Sequence, residues 1–146
     1  MKPGQERIRA GLELYRTGFN CAQSVFAAFA PEFGLDREQA LLASSCFGGG
    51  MRMGAACGAF TGALMALGMA KGFSEFSPEA KSRAESFTLQ FIGAWKERIG
   101  RIDCREILNL DPSDPVQRQF ARDNGIFEAH CPQCIETAIR IVGDFL

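Results

Sequence analysis

The sequence predicts an all-α fold, a single-domain helical bundle around a central helix rich in Gly and Ala. Two observations carry this prediction. Apolar residues recur at helical spacing in successive segments that begin with capping residues, and no segment alternates between apolar and polar residues as a strand would. With 146 residues, the chain is long enough for one domain that buries about two thirds of its unfolded surface. Residues 1–146 are therefore expected to form one domain.

The central element is the stretch Phe47–Ala70, which is uncharged after Arg52 and lined with small residues. Gly54, Gly58 and Gly62 follow one another at i, i+4 spacing, so one helix face is almost bare backbone and a second helix can pack closely against it. Each Gly costs about 1 kcal/mol relative to Ala in a helix. Tertiary packing must therefore stabilise this helix.

A membrane span is the competing interpretation of this stretch, since Met53–Ala70 just reaches the required length. We reject it because Gly, Ala and Cys make up most of the segment. The flanking Arg52 and Lys71 also give no charge asymmetry of the kind that orients a membrane helix. The sequence therefore indicates a buried helix and not an integral membrane protein.

Three helices are predicted before this stretch, the first of them ending near Gly18. Asn20 is a good N-cap for the second helix, and Gln23 can complete a capping box. Cys21 then occupies the first helical position. The apolar positions that predict the first helix are Ile8, Leu12 and Tyr15.

A third helix is predicted to begin after Asp36 and to run toward Cys46. The helix dipole disfavours a thiolate at a C-terminus. Cys46 is therefore interpreted as a small buried apolar residue.

The C-terminal half contains further helix starts. Ser77-Pro78 and Asp114-Pro115 both place Pro at the first helical position. Asp103 is expected to form a capping box with Glu106, which places Cys104 at the first helical position. The apolar face of the helix after Ser77 is interpreted as core and consists of Ala84, Phe87, Phe91 and Trp95.

The last helix is predicted to begin at Pro132, after Asn124-Gly125 ends the preceding one. This start puts Cys131 at the N-cap and Cys134 in the first turn. Cys131 and Cys134 also have the CxxC spacing of thiol oxidoreductases and of half a zinc site. Neighbouring His130 is interpreted as an exposed loop residue; the alternative is that it raises the thiolate population or acts as a ligand.

The composition excludes some classes of function and favours others. Sixteen basic and seventeen acidic residues give a formal charge of −1, and without a clustered basic stripe nucleic acid is not expected as a partner. The first residues are not followed by an apolar run of the kind found in a signal peptide, so we expect a cytoplasmic protein. Six cysteines and one histidine in such a chain point to catalytic thiols or thiolate ligands and not to a disulfide framework.

The cysteines form the candidate site. Cys57 is predicted in the first turn of the central helix, and Cys21, Cys104 and Cys131 at or near three other helix starts. Unpaired amides at a helix start favour the thiolate, which is both the nucleophile of disulfide exchange and the metal-binding form. In disulfide exchange with a partner, we predict that Cys57 is the attacking residue and Cys21 the resolving residue.

Three alternatives stay open. The same four cysteines could hold zinc or an iron–sulfur cluster, although no metal or cofactor is assigned. They could be inert buried thiols. The chain could also be a non-catalytic module that docks to a membrane transporter or another subunit.

The chain resembles the C_GCAxxG_C_C family, whose members carry a proposed redox role. The motifs that carry this resemblance are FNCAQSV from Phe19, FGGGM from Phe47, CGAFTGALMALG from Cys57, Cys104-Arg105-Glu106, and Cys131. The resemblance implies a small helical protein with four signature cysteines, here Cys21, Cys57, Cys104 and Cys131. It also implies gene neighbours that encode transporters, whereas Cys46 and Cys134 depart from the pattern. A redox partner protein, a transporter component and a second copy of the chain remain open as partners.

Overall fold

The computed structural model describes residues 2–146, and these residues are all-α, as predicted. They contain no β-strand, and one isolated antiparallel bridge joins Ala56 to Asp103. The helices are α1 (Pro3–Arg16), α2 (Cys21–Phe29), α3 (Arg37–Ala43), α4 (Gly58–Lys71), α5 (Pro78–Arg98), α6 (Cys104–Leu108), α7 (Pro115–Asp123) and α8 (Ile126–Asp144). A short 3-10 helix, Ala30–Phe33, continues α2.

Capping chemistry sets several helix starts. The predicted box at α2 is formed: the Gln23 amide donates to Asn20 Oδ1 at 2.8 Å, and the Asn20 amide donates to Gln23 Oε1 at 3.0 Å. Ser77 likewise accepts from the Ala80 amide at 3.0 Å at the start of α5. The box predicted at Asp103 is wrong, because its side chain accepts no capping hydrogen bond.

The central helix is shorter than predicted. It begins at Gly58 because the preceding residues form a left-handed turn, in which Gly49, Gly50, Met51 and Arg52 have φ values of 62°, 62°, 58° and 60°. A left-handed conformation costs a residue with a side chain about 1–2 kcal/mol. Met51 and Arg52 therefore adopt this conformation against the backbone preference of residues with side chains.

The glycine face of α4 packs against α2, as predicted. A Cβ atom at Gly58 would lie 3.0 Å from the Ala22 amide nitrogen, and one at Gly62 would lie 2.6 Å from the Ala22 carbonyl oxygen. No side chain fits at Gly62 without movement of the backbone. The glycines thus set the distance between the helices that carry Cys21 and Cys57.

The opposite side of α4 faces the aromatic core. Phe60 lies with its ring centroid 5.3 Å from that of Phe91 and 5.4 Å from that of Trp95. Trp95 is fully buried, and its indole Nε1 donates to the Arg101 carbonyl at 2.8 Å. This confirms the prediction that the aromatic face of α5 belongs to the core.

The predicted start of the last helix is wrong. Helix α8 begins at Ile126, and Pro132 lies inside it. Gly125 has a left-handed φ of 68°. It ends the short connection after α7 and is the N-cap of α8. Pro132 has no N–H for the carbonyl of Glu128, but the core packing of Ile135, Ala138 and their neighbours keeps the helix continuous.

Between residues 2 and 146 no helix combines the length and the apolar character that a membrane crossing requires.

Candidate functional site

Cysteines from four helices meet at one cavity of about 580 Å³. The four predicted site cysteines all line it, and one more joins them. Four of the five thiols are at most 9% exposed, and Cys21 is half-buried. The cysteines that line the cavity are Cys21, Cys57, Cys104, Cys131 and Cys134.

Two backbone hydrogen bonds hold the starts of α4 and α6 side by side. The Cys57 amide donates to the Ile102 carbonyl at 2.8 Å, and the Cys104 amide donates to the Ala55 carbonyl at 2.7 Å. These bonds flank the Ala56–Asp103 bridge. They fix Cys57 and Cys104 as neighbours although the two residues are far apart in sequence.

Cys57 and Cys134 form the first thiol pair. Contact with the Cys134 thiol lowers the pKa of Cys57 against the opposing effect of burial, and the amides of Ala59 and Phe60 lower it further. Cys57 is the N-cap of α4, and although its sulfur makes no regular capping hydrogen bond, the first amides of the helix favour its thiolate. The same contact, together with burial, raises the pKa of Cys134.

Cys21 and Cys131 form the second thiol pair. Hydrogen bonding from the Cys21 thiol lowers the pKa of Cys131 against burial, and a further hydrogen bond from the Tyr15 hydroxyl lowers it again. The contact with Cys131 and burial raise the pKa of Cys21 well above the ordinary value. Burial and the nearby charge of Cys131 raise the pKa of Tyr15, so its hydroxyl keeps its proton.

Cys104 stays a neutral thiol between the two pairs. Burial raises its pKa to about 12, and the charges of Cys57 and Cys131 contribute to this increase. The expectation that its position at a helix start would favour its thiolate is therefore wrong. Helix α6 spans only five residues, and desolvation and like charges outweigh so short a dipole.

The placement of three other residues differs from the prediction. Cys131 lies inside α8 and not at a helix N-cap, so Cys21 and Tyr15 favour its thiolate in place of helix amides. Cys46 is exposed and not buried. His130 lies in α8, is half-buried, and lines a separate small cavity with Cys134 and not the thiol cavity.

Sequence reasoning missed Tyr15 and the position of Cys134 as site residues. Cys131 and Cys134 are three residues apart inside one helix, which places both thiols on one face. Reading Asn124-Gly125 as a helix start as well as a stop would have revealed this face. No comparable signal identified Tyr15 as a site residue, because its place on the apolar face of α1 already accounted for it.

A zinc or iron–sulfur site requires several ligand side chains placed around one point. Among residues 2–146, no group of three or more His, Cys, Asp or Glu side chains is placed to hold a metal ion.

Of the comparisons with known proteins, one identifies a family. Searches of curated proteins and of solved structures found no match. A family model described as "Putative redox-active protein (C_GCAxxG_C_C)" matches residues 19–145, a segment that includes all five thiols of the cavity. The chain therefore belongs to the C_GCAxxG_C_C family.

Proposed function

We propose that this protein is a cytoplasmic dithiol/disulfide exchange protein that reduces an external disulfide with paired thiols in the cavity. One observation carries the proposal: five cysteines from four helices line a single cavity. The pKa directions agree with it, since Cys57 and Cys131, whose pKa values are lowered, each contact a thiol of raised pKa. Disulfide exchange needs such a combination, because a thiolate attacks first and a second thiol must then resolve the mixed disulfide.

In the first pair, Cys57 is the attacking residue. Its thiolate attacks one sulfur of the external disulfide, that S–S bond breaks, and the departing thiolate takes up a proton. A mixed disulfide then links Cys57 to the remaining half of the substrate. Cys134 loses its proton and attacks Cys57 Sγ, which forms the Cys57–Cys134 disulfide and releases the second half as a thiol. Two electrons pass from the protein to the substrate.

The second pair can repeat this sequence, with Cys131 attacking and Cys21 resolving. Cys21 thus keeps the predicted resolving role. It resolves a mixed disulfide on Cys131, which it contacts directly, and not one on Cys57. Cys104 lies near both attacking sulfurs and remains protonated. We assign it the role of limiting the charge in the cavity to the two attacking thiolates.

Mild oxidation of the full chain tests the proposal. We expect treatment with bis(2-hydroxyethyl) disulfide to convert four of the six thiols into Cys57–Cys134 and Cys21–Cys131 bridges, identified in peptide mass spectra. The Cys46→Ser variant is the matched control, because it removes the exposed thiol and should form both bridges. Six free thiols after treatment with this compound and with a protein disulfide, or bridges confined to Cys46 between chains, would contradict the proposal.

A further inference from the structure

Arginines from separate elements surround the mouth of the thiol cavity. They lie at the end of α1, in the left-handed turn and on α7, where two of them are four residues apart and share a face. Glu128 is the one carboxylate among the lining residues. The lining arginines are Arg16, Arg52, Arg118 and Arg122.

These guanidinium groups are largely unneutralised. Among residues 2–146, Arg52, Arg118 and Arg122 form no ion pair, and Arg16 pairs at 3.4 Å with Glu13, both side chains being mostly exposed. An exposed pair of this kind contributes little binding energy. The positive charge is local, since the whole chain carries a formal charge of −1.

The depth of the thiols limits the size of the substrate. The arginines are exposed or half-buried, whereas Cys57 and Cys134 are 6% and 3% exposed at the inner end. A small disulfide fits against sulfurs of such low exposure more readily than a disulfide held on the surface of a folded protein. A cavity of about 580 Å³ does have the size of a small-molecule site.

We propose that the cavity selects small disulfides that carry carboxylate groups. The inference rests on the proposed exchange function and names its substrate class. The carboxylates pair with Arg118, Arg122 and Arg52 at the mouth, since guanidinium groups bind carboxylates in a bidentate manner. The S–S bond then faces the inner thiols. One substrate disulfide and two protein thiols give one protein disulfide and two carboxylate-bearing thiols, so atoms, protons and electrons balance.

Three small disulfides that differ in charge test the selection. Dithiodiglycolate carries two carboxylates, bis(2-hydroxyethyl) disulfide is neutral, and cystamine carries two ammonium groups. Each rate of protein thiol oxidation is divided by the rate of the same disulfide with 2-mercaptoethanol, which corrects for the different leaving groups. We expect dithiodiglycolate to react about tenfold faster than the neutral compound, and cystamine to react slowest. High salt should shrink these differences.

The Arg118→Gln/Arg122→Gln double variant should bring the three corrected rates close together. The Arg37→Gln/Arg83→Gln variant is its matched control, because it removes the same charge from exposed positions outside the cavity and should keep the preference. Thermal unfolding checks that both variants are folded.

The outcomes separate this inference from the proposed function. Equal corrected rates for the three compounds, or a preference that survives in the Arg118→Gln/Arg122→Gln variant, would overturn the charge selection and leave disulfide exchange intact. No loss of free thiols with any of the three compounds, nor with a protein disulfide, would overturn both. Oxidation by a protein disulfide but by none of the small ones would overturn the substrate class alone.

Discussion

The two thiol pairs contain the same chemical groups but stabilise their thiolates differently. Cys57 depends on its thiol partner and on the first amides of α4. Cys131 lies inside α8, where such amides are already used by the helix, and depends on two side-chain donors, Cys21 and Tyr15. The amides of a helix start are therefore one route to a buried thiolate, and a tyrosine hydroxyl can replace those amides.

The two routes differ in what a substitution can remove. The amides of α4 belong to the backbone and persist in every variant that folds. The Tyr15 hydroxyl belongs to one side chain and can be deleted. The Cys131 pair is therefore the more easily altered of the two by substitution of a side chain.

The largest effect is expected from replacing the attacking residues. Cys57→Ser should abolish the Cys57–Cys134 bridge completely, because a hydroxyl cannot form a disulfide, and should leave the Cys21–Cys131 bridge. Cys131→Ser should give the reverse pattern. Peptide mass spectrometry after mild oxidation measures both. Loss of both bridges in either single variant would show that the pairs do not act independently.

The second effect concerns the packing of α2 against α4, which sets the separation of the pairs. Gly62→Ala should lower the free energy of unfolding by about 2 kcal/mol, because overpacking against a backbone carbonyl cannot be relieved by a rotamer change. Gly68→Ala is the matched control in the same helix. A Cβ there has no neighbour within 4 Å, so stability should rise by up to about 1 kcal/mol.

Urea unfolding under reducing conditions measures both variants. Equal effects of the two substitutions would contradict the close contact between Gly62 and Ala22. Gly62→Ala should also slow thiol oxidation of both pairs, since it moves the helices that carry Cys21 and Cys57.

The third effect separates the two routes directly. Tyr15→Phe should lower the thiolate fraction of Cys131 at neutral pH about tenfold, because a hydrogen bond to a charged group contributes about 1.5–3 kcal/mol. Cys57 should keep its thiolate fraction, since Tyr15 is not among the groups that set its pKa. Alkylation rates for each cysteine, measured by mass spectrometry, test this. An equal decrease at both cysteines would contradict the comparison.

The last effect is a pH dependence of stability. Cys104 has a pKa of about 12 in the folded protein and of about 8.5 in an unfolded chain. Its contribution to stability is therefore complete below about pH 8.5 and is lost as the pH rises toward 12. Cys57 and Cys131, whose pKa values are lowered, act in the opposite sense and lose their contribution as the pH falls.

We expect the free energy of unfolding, measured with reductant present, to fall above about pH 8.5. Cys104→Ser should flatten this decrease by up to about 1.4 kcal/mol per pH unit. Identical slopes for the wild type and the variant would contradict the raised pKa of Cys104.

Local signals predicted much of the fold. Asn20, Ser77 and Asp114 cap helices as expected, and the glycine spacing correctly indicated close helix packing. The start of α4 was misplaced because successive left-handed residues precede it, and Met51 and Arg52 adopt that conformation against their local preference. The start of α8 was misplaced because core packing tolerates Pro132 inside the helix.

The site was only partly predictable for a similar reason. The family motifs and helix starts identified four of the cavity cysteines, but pairing depends on long-range geometry that no local pattern contains. Cys104 shows the limit of the helix-start argument, since burial and neighbouring charge outweigh the dipole of a short helix. The arginines of the mouth come from separate elements, so they have no common sequence signal.

The pH dependence of alkylation at each cysteine tests the central claim most directly. With the folded, reduced protein, we expect Cys57 and Cys131 to become reactive at lower pH than an ordinary thiol, and Cys21, Cys104 and Cys134 at higher pH. Such a division would show two poised thiolates beside protonated partners in one cavity. A single common midpoint for all five cavity thiols near the ordinary cysteine pKa would contradict the account.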